Sequence, residues 1–174
     1  MTDYWKKCVD FHGHECGGLT IGYKAALYVI DLWDVKFSKD EELVCISEND
    51  ACGVDAIQSI LGCSVGKGNL LFHMTGKQAF TFYDRNKNKG IRLVLKEKPE
   101  GMTREESFEY YQKLDPKDMF DVKEPKIKLP QSARIFDSFI CEECGEKAGS
   151  KWIRIENGKK LCIDCATKYD RFNI

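Results

Sequence analysis

Phe11-His12-Gly13-His14-Glu15-Cys16-Gly17-Gly18 runs straight into Leu19-Thr20-Ile21-Gly22-Tyr23-Lys24-Ala25-Ala26-Leu27-Tyr28-Val29-Ile30-Asp31-Leu32-Trp33. The second part is the longest apolar-periodic run of the chain and predicts a core helix, with Gly22 as its one weak point. The first part is too glycine-rich for a helix interior, yet it holds two of the three histidines. In extended backbone alternate residues face one side, so His12, His14 and Cys16 can aim at a single ion. In a helix only positions 12 and 16 share a face. Gly17 and Gly18 set this loop beside the positive end of the following helix, which suits a thiolate or an anion.

Outward from this stretch, residues 2–11 read as a short helix, and residues 42–47 as a strand. Asn49 or Asp50 caps a helix that stops at Gly62, which puts Cys52 in its first turn. Strands follow at residues 70–74, 79–84 and 91–96, the last two joined as a hairpin by the polar run 85–90. Residues 103–114 form a helix with Thr103 and Glu106 as a capping box. This pattern predicts an α+β fold, with helices packed on a mainly antiparallel sheet, plus a small zinc-ribbon-like C-terminal domain. The domains expected are a core at 1–116, a charged, proline-bearing linker at 117–134, and a four-cysteine domain at 135–174.

The bulk properties narrow the function. The chain has 174 residues, 43% hydrophobic and 32% charged, as in an ordinary globular protein. Its net charge of −1 gives no general pull toward nucleic acid or anionic membrane. It lacks the run of about 18 apolar residues that a spanning helix needs, and its N-terminus lacks a signal-peptide h-region. A cytoplasmic location is expected. In that reducing setting nine cysteines point to metal or chemistry rather than disulfides. Cys45, within Leu43-Val44-Cys45-Ile46, reads as a small buried hydrophobe, and Cys8 fits the same role.

Cys141-x-x-Cys144 and Cys162-x-x-Cys165 carry the spacing of a structural zinc site. The ion supplies folding energy that so small a module cannot draw from its core. A hairpin about Asn157-Gly158 and a closing helix at residues 163–172 complete this module. Residues 123–174 hold 11 Lys and Arg against 8 Asp and Glu, too mild an excess for a nucleic-acid interface.

At the N-terminal site, His12, His14 and Cys16 need a further partner. Cys52 and Cys63 are the choices, but three helical turns separate them by roughly 16 Å, so one ion cannot take both. Cys52 is preferred because a helix N-terminus favours its thiolate. Cys63 is then a secondary thiol of the same pocket, and Lys67 offers a cation to an anionic substrate. The segment 62–68 is not a phosphate-binding P-loop, because its glycine spacing is short and no Ser or Thr follows Lys67. Asp50 and Asp55 are read as either caps or general bases, and His73 as a core or pocket-lining residue. The expected catalytic set is His12, His14, Cys16, Cys52, Cys63 and Lys67. The expected active-site metal, a second zinc-like ion, rests on His12, His14, Cys16 and Cys52.

Residues 11–16 with Gly18, Leu19 and Gly22, together with Val54-Asp55-Ala56-Ile57-Gln58 and Gly62-Cys63-Ser64-Val65-Gly66-Lys67-Gly68-Asn69-Leu70, resemble the FmdE family, which takes its name from a component of formylmethanofuran dehydrogenase. The resemblance covers about residues 5–100, and some members of that family also carry a zinc-finger tail. It implies an α+β core, a homodimer, an active site at the His/Cys cluster, and a link to a larger molybdenum or tungsten redox complex of one-carbon metabolism. This chain has Gly17 where the family commonly has proline. Two rival readings are a non-catalytic metal carrier that docks through its zinc module, and a zinc-ribbon regulator.

Overall fold

The structure is a computed structural model and describes residues 3–168. The chain divides into two compact units, Met1–Ala133 and Arg134–Ile174. In the first unit, β1 (Leu43–Ser47), β2 (Leu70–Phe72), β3 (Ala79–Asp84), β4 (Lys89–Leu95) and β5 (Phe120–Lys123) form one sheet in the order β2-β1-β3-β4-β5. Only β1 and β2 run parallel, with α3 (Gly53–Leu61) lying between them in sequence; the other pairs are antiparallel. The α+β class expected from the sequence is the class found.

β1 is paired on both sides and buried along its whole length, as a short continuous apolar run requires. Phe80, Phe82 and Leu93 of the sheet join Leu19, Ala25, Ala26 and Val29 of α2 (Gly17–Trp33) and Ile57 and Leu61 of α3 in one core. α2 and α3 approach with almost no side chain between them. A Cβ at Gly22 would lie 1.9 Å from the Gly53 carbonyl oxygen, and one at Gly53 would lie 3.0 Å from the Gly18 carbonyl oxygen. The apparent weak point of α2 is therefore the place where the second helix crosses it.

The expected linker is corrected in part. Pro116–Met119 form the short helix α5, and Phe120–Lys123 add an edge strand to the sheet. Proline suits the first turn of a helix, and Asp115 caps it by accepting from the Lys117 amide at 2.8 Å. Beyond β5 the chain returns along the sheet. The Tyr83 hydroxyl donates to the Ile127 carbonyl, and the Ala133 amide donates to Glu41 at 2.9 Å. The strand expected at residues 70–74 ends at Phe72, which leaves His73 exposed rather than in the core or a pocket. α4 (Arg104–Lys113) begins with the expected capping box of Thr103 and Glu106.

In the second unit, two hairpins pair β6 (Ser138–Ile140) with β7 (Lys147–Gly149) and β8 (Ile153–Glu156) with β9 (Lys159–Cys162). Asn157 and Gly158 both take positive φ, 51° and 81°, as a tight two-residue hairpin turn demands. Of the helix expected at residues 163–172, residues 163–168 form turn and irregular structure, and the remainder lies outside the described residues. Among the described residues no helix is long and apolar enough to cross a membrane.

Candidate metal centre

The His12 cluster is built by a tight helix–turn–helix. Asp3 caps α1 (Tyr4–His12), which stops because Gly13 turns left-handed at φ 93°. Cys16 then takes extended backbone as the N-cap of α2, and its sulfur accepts from the Leu19 amide at 3.3 Å. His12 thus ends one helix and Cys16 caps the next. The single extended strand expected for residues 12–16 is replaced by this corner, and it brings together the 12 and 16 positions. Gly17, standing where proline is expected, is the first residue of α2. That position accepts proline readily, and the extended Cys16 before it would too, so the departure leaves the corner unchanged.

Cys52 arrives from α3, whose N-cap it occupies. The bare Gly18 surface lets it approach, since a Cβ on Gly18 would lie 3.2 Å from the Cys52 Cβ. Ligand atoms of His12, Cys16 and Cys52 all lie within 4.8 Å of one another, with His12 Nε2 at 3.9 Å from the Cys16 sulfur. Burial, and next the Cys16 thiol beside it, push the Cys52 thiol up from its ordinary value. The helix N-terminus does not outweigh these effects, and a cation among the sulfurs reverses both.

Asp55, one turn into α3, accepts from His12 Nδ1 at 2.7 Å and is itself met by Gln58 Nε2 at 3.1 Å. A carboxylate only accepts, so the shared proton sits on Nδ1 and Nε2 presents its lone pair toward the two sulfurs. This is the outer-sphere carboxylate that orients a metal-bound imidazole. Sequence alone offers Asp55 only as a cap or base; nothing in a 43-residue separation marks it as the partner of His12.

The other expected site residues fall elsewhere. His14 is exposed, outside the ligand trio, and stacks on His12 with ring centroids 4.5 Å apart. Cys63 follows Gly62, the C-cap at the opposite end of α3 from Cys52. It is fully buried, donates to the Leu43 carbonyl at 3.6 Å, and is pushed up to about 12 by burial. Lys67 donates to the Ser38 carbonyl at 2.6 Å. A nine-residue helix spans about 13 Å, so neither residue reaches the trio. Cys8 and Cys45 are core residues, as expected.

In the second unit, the sulfurs of Cys141, Cys144, Cys162 and Cys165 lie within 4.8 Å of one another, and those of Cys144 and Cys162 are 3.9 Å apart. Tetrahedral zinc thiolates need about 3.8 Å, given bonds near 2.3 Å. The first knuckle closes with the Gly145 amide on the Cys141 carbonyl at 2.9 Å, Gly145 having φ 74°. Backbone amides, that of Cys144 foremost, lower the Cys141 thiol to about 6, while its neighbouring sulfurs, Cys162 first, push Cys165 up to about 12. Four sulfurs this close cannot all ionise without a cation between them, so the donor set fits a divalent ion.

Comparison with known proteins agrees with both sites. A family profile described as "FmdE, Molybdenum formylmethanofuran dehydrogenase operon" matches residues 11–136, and a prokaryotic dksA/traR C4-type zinc finger matches residues 134–171. A "Probable S-adenosyl-L-methionine-binding protein" of Archaeoglobus fulgidus is 26% identical over 201 residues, covering 97% of this chain and 54% of the relative. The chain thus spans about half the length of that curated relative. In fold it resembles the crystal structure of an FmdE-like protein, of the tungsten formylmethanofuran dehydrogenase type, from Syntrophus aciditrophicus. The TM-score is 0.68 at 23% identity, over 94% of this chain and 90% of that one. This chain belongs to the FmdE family and carries a four-cysteine zinc finger behind its FmdE domain.

Proposed function

We propose that the His12 cluster is the active site of a metal-dependent enzyme, or of an enzyme subunit, acting in one-carbon redox metabolism. The observation that carries this reading is a set of three ligand atoms, from His12, Cys16 and Cys52, within 4.8 Å, with a carboxylate behind the histidine. Three protein ligands leave one tetrahedral position for water or substrate, the arrangement of catalytic rather than structural zinc. A bound ion there supplies Lewis acidity and lowers the pKa of a coordinated water or thiol. Asp55 holds the His12 tautomer, Leu19 N–H holds the Cys16 sulfur, and exposed His14 carries protons between solvent and the cluster. The zinc finger is structural, because four cysteines leave no open position.

The one-carbon setting and the partnership with a larger redox complex rest on family membership. The same membership supports a homodimer, and nine unpaired cysteines suit a reducing cytoplasm. Cobalt substitution tests the metal reading. Cobalt in the His12 cluster gives thiolate-to-metal absorption that Cys16→Ser reduces without disturbing the finger. Unchanged metal content and thiol reactivity in Cys16→Ser would remove the reading. A first-site metal that exchanges over hours, with no turnover of any formyl compound, would favour a carrier instead.

A further inference from the structure

Beside the ligand trio lies a cleft of about 440 Å³. Glu15 and Cys16 line it from the α1–α2 corner, and Arg104, Glu105, Phe108 and Glu109 line it from α4. Cys16 therefore belongs both to the ligand set and to the cleft wall, so a molecule seated in the cleft lies against the ion's sulfur ligand.

The lining has a definite electrical character. Three carboxylates face one guanidinium. Glu15 is held by the neutral Trp5 indole N–H at 3.0 Å, which fixes its position and leaves its charge intact. Glu105 stands in the first turn of α4, where with Glu106 it offsets the positive end of that helix. Glu109 pairs with Lys113 at 3.0 Å, but both side chains are well exposed and the pairing is weak. Phe108 adds an aromatic surface, backed by Trp5 with ring centroids 6.3 Å apart. Carboxylates around an aromatic face form the recognition chemistry of an organic cation.

Building on the metal-site reading above, we propose that this cleft binds the substrate of the cluster, a small molecule carrying an organic ammonium group beside a soft donor atom. The ammonium sits over Phe108 between Glu15 and Glu105, and the donor atom turns toward the open metal position next to Cys16. Anionic substrates are disfavoured by the same carboxylates.

The test uses the full-length protein loaded with cobalt and two thiol probes, cationic cysteamine and anionic 3-mercaptopropionate. Each is titrated while the cobalt ligand-field bands are followed, in wild type and in Glu15→Gln/Glu105→Gln. The ratio of the two affinities, compared between the proteins, cancels the different basicities of the thiols. The wild-type preference for the cation is expected to exceed that of the variant on the order of tenfold. It should also shrink in wild type as salt is raised, because a partly exposed field is screened. Equal ratios in the two proteins, or a wild-type preference indifferent to salt, would overturn the cleft assignment while the metal site stands. Absence of first-site cobalt from wild type would overturn both.

Discussion

Asp55 decides what the His12 cluster is. A histidine at a helix end beside two cysteines is an ordinary packing solution until a carboxylate fixes which nitrogen faces them. Asp55→Asn keeps the shape but removes the charge, and outer-sphere losses of this kind cost about 10–100-fold in metal affinity. Competition with a chromophoric chelator measures it; affinity unchanged in Asp55→Asn would show that the bond is only structural. A second residue-scale feature is the ion pair of Glu48 and Arg92, both 4% exposed or less and joined by two hydrogen bonds, one of 2.9 Å. Arg92 holds the Glu48 carboxyl below its ordinary value of 4.5. With the folded value depressed, the stability Glu48 contributes is complete above pH 4.5 and is lost as pH falls through the lower folded value. Glu48→Gln leaves Arg92 uncompensated and costs about 3 kcal/mol at neutral pH. Its acid unfolding, followed by circular dichroism, should lose part of the wild-type steepness below that pH.

At the scale of elements, the helix crossing at Gly22 and Gly53 sets the metal geometry. A Cβ at Gly22 meets backbone, which cannot swing aside as a flexible side chain can. Gly22→Ala should cost about 3 kcal/mol and lower the first-site metal affinity, because it pushes α3 and Cys52 away from Cys16. Thermal melting and metal titration read the two effects; Gly17→Ala, which meets nothing within 4 Å, is the control. Much of this element layer is legible in the sequence. The α2 periodicity, the Gly62 stop, the Thr103 capping box and the Asn157-Gly158 turn are local signals, and local chemistry decides them. What stays hidden depends on distance along the chain. Nothing near Gly22 announces Gly53, and nothing near Pro116 announces that Phe120–Lys123 will pair with β4. The charges of that edge strand read as linker because only Phe120 of its four residues is buried. Sequence spacing assigns His14 and Cys63 to the site, but the Gly13 corner turns one outward and α3 carries the other away.

Across the whole molecule, two units hold two different ligand sets. The finger is legible in full, because two Cys-x-x-Cys pairs fix their own geometry. The N-terminal site is legible as a region but not as a set of partners, since its ligands come from two helix starts and a helix end. The central claim is one metal ion in each unit. Elemental analysis of the full-length protein tests it most directly, with wild type measured beside Cys16→Ser and beside Cys141→Ser/Cys144→Ser. Two ions per chain in wild type and one in each variant is the predicted result. One ion in wild type, kept in Cys16→Ser and lost in Cys141→Ser/Cys144→Ser, would contradict it and leave the His12 cluster without a metal.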